Sequence, residues 1–318
     1  MRFNLQKTRF FSFLLALAVF TCTFFSCAPR AAVTQEDSIC VIDALGREVR
    51  VKKNVQRVGA LLGSFADVWS LAGGRVSAAP SDAWEDFGLP LPDAVNLGGA
   101  HSPSLELLLS AEPELVLASA STASHVAMRE VLEAAKIPVL FFDVDNFEEY
   151  LSMLKTCTDI TGREDLYRQN GMALAAEIAE IRGAYADGDT PLDERHILLL
   201  RASSTAVKAK GSRGTILGEM LLDMGCVNIA DGGLLDTLSV EAVMQAEPYH
   251  IFVVTMGNDT EAARASLDRM MAEDPAWGSL SAVKEGRVHV MDKTLFNLKP
   301  NARFAEAYRT LYEALTKK

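Results

Sequence analysis

The chain has 318 residues, 49 % of them hydrophobic and 23 % charged, and its 31 basic and 42 acidic side chains give a net charge of −11. Such a chain is too long for one small domain and too apolar to be disordered, so we expect two packed lobes of about 100–150 residues each. The acidic excess argues against a nucleic-acid partner, because few cations remain to neutralise phosphates.

Residues 1–26 have the pattern of a secretory signal peptide. Three basic residues precede an uncharged apolar run over residues 10–26, as in the charged and apolar regions of such peptides. A transmembrane anchor is the alternative, although the run is near the short limit of a ~20-residue span. Removal of this segment takes away three basic residues and no acid, so the mature chain carries a net charge of −14.

Cys27 directly follows this run and is the predicted lipidation site. A bacterial lipoprotein peptidase cleaves before a cysteine that follows a small residue, here Ser26, and the thiol takes a diacylglycerol. The segment resembles a lipobox in which Phe24 stands where Leu is usual, and Cys22 is a weaker candidate. Residues 27–38 are polar and aperiodic, so we expect a flexible tether between the lipid and the folded body.

The remaining cysteines are Cys40, Cys157 and Cys226. Their odd number and the lack of CxxC or CxxH spacing argue against a zinc site or a disulfide framework. One disulfide is an open alternative, and we expect three buried, inert thiols.

Short apolar runs alternate with helix-period stretches along the mature chain. In the first lobe, residues 39–162, the predicted strands are 58–61, 76–79, 115–118 and 139–142, and the predicted helices are 66–72, 105–111, 126–135 and 147–160. In the second lobe, residues 188–318, the predicted strands are 197–200, 227–230, 251–255 and 288–291, and the predicted helices are 216–224, 240–246, 262–271 and 302–315. This alternation indicates α/β lobes with mainly parallel sheets, similar to Rossmann folds.

Residues 163–187 form the longest helical pattern and are predicted to link the two lobes. The turn-rich stretch DGDTPLDER follows and starts the second lobe. A single helix is a stiffer connector than two or three crossing strands, so we expect small lobe motions around a ligand cleft between the lobes.

An internal repeat supports two related lobes. The segment SLELLLSAEP from Ser104 aligns with SVEAVMQAEP from Ser239 at a constant offset of 135 residues. In both copies a helix begins near Ser, carries Glu two residues later and ends at Pro. A second similarity pairs residues 71–79 with 223–230, each predicted as a helix, a Gly cap and a strand.

Strong enzymatic motifs such as GxSxG, Walker A, HExxH or a dinucleotide fingerprint do not occur in the sequence. His196, His250 and His289 adjoin predicted strands, which is typical of structural histidines. His101 lies in the loop LGGAHSPS, where parallel α/β lobes bind ligands, and a solvated loop position is equally open. Only His125 is expected near His101, which disfavours a site for free Zn²⁺ or Mn²⁺.

Glu106 and Glu241 occupy equivalent positions in the two copies of the repeat. The helix macrodipole alone would explain an acid in a first helical turn. Their matched placement on two lobes favours a pair of exposed carboxylates that bind arginines of a partner.

Five segments of the mature chain carry a family resemblance. They are VIDALGREVRVKKNVQRVGALLGSFADVWSLAGG, NLGGAHSPSLELLLSAEPELVLAS, GTILGEMLLDMGCVNIA, LSVEAVMQAEPYHIFVV and DPAWGSLSAVKEGRVHVMDKTLFNLKPNARFAEAYRTLYEAL. The chain resembles ABC-transporter substrate-binding proteins of the class that delivers iron-siderophores, haem or cobalamin. The resemblance implies two rigid lobes joined by one long helix, and glutamates at Glu106 and Glu241 that engage arginine pockets of a membrane permease.

The resemblance and the position of the crevice nominate ligand contacts in both lobes. Aromatic faces would pack on an organic chelate or macrocycle, and basic side chains would neutralise an anionic one. The nominated residues are Ser64, Phe65, Trp84, His101, Ser121 and Thr122 in the first lobe, and Arg201, Lys210, Arg213, Met256, Asn258 and Phe296 in the second. A solvated surface charge for each cation, and a core position for Trp84 and Phe296, are the open alternatives.

We therefore expect a monomeric, lipid-anchored extracytoplasmic binding protein that captures a metal chelate and delivers it to an ABC permease. No intrinsic cofactor is expected, and the ligand would be a ferric siderophore, haem or cobalamin. For haem, His101 with Met256 is the axial pair to consider. The alternatives are a Zn²⁺ or Mn²⁺ carrier of an ABC importer and a two-lobed α/β enzyme.

Overall fold

The computed structural model describes residues 37–232, 239–257 and 259–317. The predicted signal peptide, Cys27, most of the tether and Asn258 lie outside the described residues. Within these ranges, none of the helices has both the length and the hydropathy needed to cross a membrane.

The first lobe contains an antiparallel hairpin and a five-stranded parallel sheet. The hairpin consists of β1 (Ser38–Ile42) and β2 (Glu48–Lys52). The sheet strands are β3 (Val58–Ala60), β4 (Val76–Ala79), β5 (Val95–Asn96), β6 (Leu115–Ser119) and β7 (Val139–Phe142), in the order β5-β4-β3-β6-β7. The helices are α1 (Gly63–Leu71), α2 (Asp82–Glu85), α3 (Leu105–Ser110), α4 (Ala123–Ala134) and α5 (Phe147–Thr161).

The β1–β2 hairpin is absent from the sequence prediction. From Ile39 onward in β1 and throughout β2, exposed residues alternate with buried or half-buried ones, as expected for strands with one solvent-facing side. Asp43 organises the turn, because its carboxylate accepts hydrogen bonds from the backbone amides of Leu45 and Arg47, both at 3.0 Å. Asp43 also pairs with the Arg47 guanidinium at 2.5 Å.

The β1–β2 hairpin places one of the three remaining cysteines at the surface. Cys157 and Cys226 are buried, but Cys40 is exposed, and all three thiols are free. The expectation of three buried thiols is therefore wrong for Cys40. The pleat of β1 turns this residue toward solvent, where its Sγ donates to Glu48 Oε1 at 3.0 Å.

One helical segment links the lobes, as predicted. It consists of α6 (Glu164–Tyr167), a π-helical turn (Arg168–Met172) and α7 (Ala173–Ala186), which follow one another directly. The π-helical turn is fixed to the first lobe, because Tyr150 Oη donates to the carbonyl of Asn170 at 2.7 Å.

The second half of this segment is fixed to the second lobe. Arg182 on α7 pairs with Asp223 at 2.8 Å, and Glu177 pairs with Arg309. The π-helical turn therefore lies where the segment passes from one lobe to the other, and π-helical turns within α-helices are frequent at functional sites.

The second lobe is built on a related sheet. Its strands are β8 (His196–Ala202), β9 (Val207–Ala209), β10 (Val227–Asn228), β11 (His250–Thr255) and β12 (Val288–Met291), in the order β10-β8-β11-β12, with β9 antiparallel to β8. The helices are α8 (Ile216–Asp223), α9 (Val240–Ala246), α10 (Thr260–Glu273), α11 (Ser281–Lys284), α12 (Lys293–Phe296) and α13 (Phe304–Thr316). The strand predicted at 227–230 ends at Asn228, because Ile229–Gly232 forms a 3₁₀ turn.

The predicted repeat is confirmed in three dimensions. The side chains of Ser104 and Ser239 each accept a hydrogen bond at 3.3 Å from a backbone amide three residues later. At the other end of the two helices, Glu112 and Glu247 have φ angles of 46° and 43°. Two non-glycine residues share this uncommon left-handed conformation at equivalent positions, so the lobes repeat in local geometry as well as in sequence.

The hydrophobic core alternates across both sheets. In β8, Ile197 and Leu199 face the main core, whereas Leu198 and Leu200 face a second cluster under α10. This two-sided burial follows from the period of two in a strand that is covered on both faces. The main core is continuous through α5 and α13, where Phe304 packs against Phe147 with ring centroids 5.2 Å apart.

Candidate ligand-binding cleft

The carboxyl ends of the parallel strands in both lobes lead to a cleft between them. Parallel α/β sheets bind ligands at this edge. Two ion pairs cross the cleft, one between Lys293 and Asp86 at 3.0 Å and one between Lys299 and Asp145 at 3.7 Å. In both pairs the acid belongs to the first lobe and the lysine to the second.

A third cross-lobe contact lies in the protein interior. Asn301 is fully buried, and its Nδ2 donates to the carbonyl of Ser64 at 2.9 Å and to Asp67 Oδ2 at 2.8 Å. Asn301 has a φ of 51°, a conformation that asparagine tolerates better than most residues. Burial raises the pKa of Asp67, while the hydrogen bond from Asn301 opposes this rise.

A small cavity of about 60 Å³ lies between the lobes. It brings together three of the nominated ligand residues, namely Arg201, Lys210 and Phe296. They come from β8, from the segment after β9 and from α12, and the first lobe contributes Asp145. The sequence analysis thus nominated three of the eleven second-lobe residues that line this cavity, and their contact with a ligand stays a prediction.

Two cations of this cavity have no acidic partner. Within the described ranges, neither Arg201 nor Lys210 forms an ion pair, and both side chains are half-buried. Burial lowers the pKa of the Arg201 guanidinium. Burial also lowers the pKa of Lys210, and the nearby charge of Arg201 lowers it further.

Lys299 and Asp145 are cleft residues that the sequence analysis did not nominate. Burial lowers the pKa of Lys299, and the negative charges of Asp145 and Asp143 act in the opposite direction. Asp145 follows β7, so its position at the carboxyl end of a strand was a usable signal. Lys299 follows a short helix in NLKPN and carries no such signal.

The first two nominated residues, Ser64 and Phe65, occupy the first turn of α1 directly after β3. Phe65 is 1 % exposed and packs edge-on against Phe142 with ring centroids 6.1 Å apart. Ser64 is also buried, and its carbonyl serves the contact with Asn301. Both residues lie at the predicted edge of the sheet, but their side chains are enclosed in this conformation.

The other nominated residues of the first lobe follow β4, β5 and β6. Trp84 is half-buried against the main core, His101 and Ser121 are exposed, and Thr122 is half-buried. His125 fixes this region, since its ring accepts from the amide of Ser119 at 3.2 Å and lies 2.7 Å from the carbonyl of Ala100. The predicted proximity of His125 to the His101 loop is confirmed.

Arg213, Met256 and Asn258 are not brought into the cavity. The Arg213 guanidinium is exposed, pairs with Glu219 at 2.9 Å and lines a separate groove between α7 and α8. Met256 is 45 % exposed after β11, and Asn258 lies outside the described residues. In the part of the chain that the structure describes, no three His, Cys, Asp or Glu side chains form a group that could hold a metal ion.

Glu106 and Glu241 are both exposed in the first turns of α3 and α9. The Glu241 carboxylate accepts from Ser239 Oγ at 2.9 Å. Hydrogen bonds from its own backbone amide and from Ser239 lower the pKa of Glu241, so it is fully ionised at neutral pH. Leu107 beside Glu106 is 42 % exposed.

The family model described as periplasmic binding protein matches residues 60–295. The chain therefore belongs to the periplasmic binding protein family, and it is a binding protein, not an enzyme. Membership of this family implies a location outside the cytoplasm. The search of curated proteins finds no match.

Solved structures share the fold over most of their length. The siderophore-binding protein BauB, bound to two molecules of acinetobactin and ferric iron, is 20 % identical over 88 % of this chain and 99 % of its own, with a TM-score of 0.70. Staphylococcus aureus SirA, in complex with staphyloferrin B, is 20 % identical over 87 % of this chain and 98 % of its own, with a TM-score of 0.67. S. aureus IsdE, in complex with haem, is 15 % identical over 83 % of this chain and 100 % of its own, and its TM-score is also 0.67. These identities establish the fold.

Proposed function

We propose that this protein captures a metal chelate, namely a ferric siderophore, haem or cobalamin, between its lobes and delivers it to an ABC permease. The observation that carries the proposal is the match of the periplasmic binding protein model to residues 60–295. The cleft at the carboxyl ends of both sheets provides the place for the ligand. The relatives bound to a ferric siderophore or to haem provide the ligand class.

The proposal includes a lipid anchor and a docking surface. Cys27 behind a small residue is the predicted attachment site, and the polar residues after it would serve as the tether. Glu106 and Glu241 are exposed at equivalent places on the two lobes, and carboxylates in this arrangement suit bidentate pairing with arginines of a permease.

Tryptophan fluorescence tests the ligand class. Trp84 is half-buried and lies two residues before Asp86, which pairs with Lys293 across the cleft, whereas Trp69 and Trp277 are buried. Trp84 should therefore dominate any ligand-dependent change. We expect saturable quenching during titration with at least one ferric siderophore, haem or cobalamin. Trp84→Phe should lose most of this signal, while equilibrium dialysis still detects binding.

Two outcomes would contradict the proposal. One is a folded protein, judged by circular dichroism, that responds to none of these chelates. The other is saturable binding of Zn²⁺ or Mn²⁺ alone without any response to chelates, which would favour a carrier of free metal ions.

A further inference from the structure

Arg201 and Lys210 form an unneutralised pair of cations at the carboxyl end of β8. The amide of Lys210 donates to the carbonyl of Leu199 at 2.9 Å, so the β8–β9 pairing holds both residues on one wall. Both side chains line the small cavity between the lobes. Burying a cation without a counter-ion is costly, and the structure offers these two no carboxylate within the described residues.

The charges that line the cavity are strongly unequal. Lys299 adds a third cation, and the carboxylate among the lining residues is Asp145, which is paired with Lys299 at 3.7 Å. The neighbouring guanidinium of Arg213 does not contribute, because Glu219 already neutralises it outside the cavity. The cavity therefore has an excess of positive charge that a ligand would have to balance.

The size of the cavity limits what can enter it in this conformation. A volume of about 60 Å³ is far below the ~300 Å³ or more of a typical small-molecule site. It suits one acidic arm of a chelate, with the rest of the ligand in the cleft outside. A desolvated arginine and lysine bind oxyanions through short, charge-assisted hydrogen bonds.

We propose that the captured chelate is anionic, that Arg201 and Lys210 bind its acidic oxygens, and that Asp145 opposes it as a specificity-determining residue. This inference rests on the proposed function and narrows its ligand class. Without ligand, the carboxylates of Asp145, Asp143 and Glu149 supply the negative charge near Lys299, and Asp145 is the one that pairs with it in the cavity. An anionic chelate takes over that role, and Lys299 then faces the ligand together with the other two cations.

Binding of ferric chelates of opposite charge tests the proposal. The probes are the trianionic ferric tris-catecholate of enterobactin and the cationic ferric tris-hydroxamate ferrioxamine B, followed by fluorescence and by dialysis of radiolabelled iron. We expect the tris-catecholate to bind at least about tenfold more tightly. Its affinity should fall with added salt because ion pairs contribute to it.

Variants separate a ligand role from a structural one. Arg201→Gln and Lys210→Gln should each weaken binding of the tris-catecholate about tenfold or more. The matched control is Lys284→Gln, an exposed lysine on α11 that does not line the cavity, for which we expect a change within about twofold. Asp145→Asn should strengthen binding several-fold, a gain that partial unfolding cannot produce.

The outcomes distinguish this inference from the proposed function. Preference for the cationic hydroxamate, or unchanged affinity in Arg201→Gln and Lys210→Gln, would overturn the anionic class but leave a chelate-binding protein. Weaker binding in Asp145→Asn would overturn the role given to Asp145. Failure of the folded protein to bind any chelate would refute the proposed function itself.

Discussion

His250 and His289 share a hydrogen bond at the end of the second-lobe sheet that faces away from the cleft. Their Nδ1 and Nε2 atoms are 3.0 Å apart, and His250 is 1 % exposed. Burial lowers the pKa of His250 to about 4, and the charges of His289 and Arg287 contribute to this shift. The hydrogen bond to the carbonyl of Leu315 acts in the opposite direction.

The buried pair of His250 and His289 predicts that the stability of the folded protein decreases at acidic pH. The pKa of His250 is about 4 in the folded protein against 6.5 for a free histidine, so the unfolded chain binds more protons between these values. The stabilisation by neutral His250 is complete above pH 6.5 and is lost as the pH falls toward 4. We expect the free energy of unfolding by urea to drop by about 2–3 kcal/mol over this range.

Two matched variants test whether His250 causes this pH dependence of stability. His250→Gln should reduce the slope of the profile but not remove it, because burial also lowers the pKa values of His289 and His125. His196→Gln, at an exposed residue, should leave the slope unchanged. An equally steep profile in His250→Gln would show that another group is responsible.

Individual site residues were only partly predictable. Arg201 and Lys210 were nominated from the family resemblance and the position of the crevice, and the structure places both in one cavity. Asn301 and Lys299 were not nominated, because a contact across the lobes depends on how the lobes close. The sequence around Asn301 does not indicate that this residue contacts Asp67, which lies 234 positions away.

Among the helices, α3 and α9 provide the clearest match between the predicted repeat and the structure. Each begins at a serine cap and presents an exposed glutamate in its first turn. The caps hold these turns in place, since each serine accepts a backbone hydrogen bond. The two glutamates are therefore displayed in the same way on the two lobes, as a two-point docking surface requires.

The docking prediction is tested by uptake. Glu106→Ala combined with Glu241→Ala should abolish import of the chelate by cells and leave its affinity for the purified protein unchanged, because neither residue lines the cavity. The control is the double variant Glu130→Ala and Glu261→Ala, two exposed helical glutamates elsewhere, which should import normally. Lost affinity in the Glu106 and Glu241 variant would contradict a docking role.

Most elements were predictable from hydrophobic patterning. Strands such as β6 and β11 are buried throughout and appear as continuous apolar runs, which is typical of central parallel strands. The β1–β2 hairpin was not predicted, because its alternating polar residues resemble an exposed segment that continues the tether. The short strands β5 and β9 were not predicted, because their two and three residues are too few to show a periodic hydrophobic pattern.

For the whole molecule, the lobes are held together by more than the linking helix. Phe304 of the second lobe packs on Phe147 of the first, and Asn301, Lys293 and Lys299 all reach first-lobe acceptors. These contacts surround the cleft, so a ligand that enters it must displace or adjust some of them. Arg201 and Lys210, which form no ion pair within the described residues, also lie at this position, and they give the cleft a local positive charge in a chain whose net charge is −11.

Hydrogen-exchange mass spectrometry with and without the tightest-binding chelate tests the central claim, that the ligand is held between two lobes. We expect slower exchange at strand ends of both lobes, over residues 63–65 and 143–145 in the first and 201–203 and 214–216 in the second. The groove between α7 and α8 should be unaffected. Protection confined to one lobe, or centred on that groove, would contradict the account.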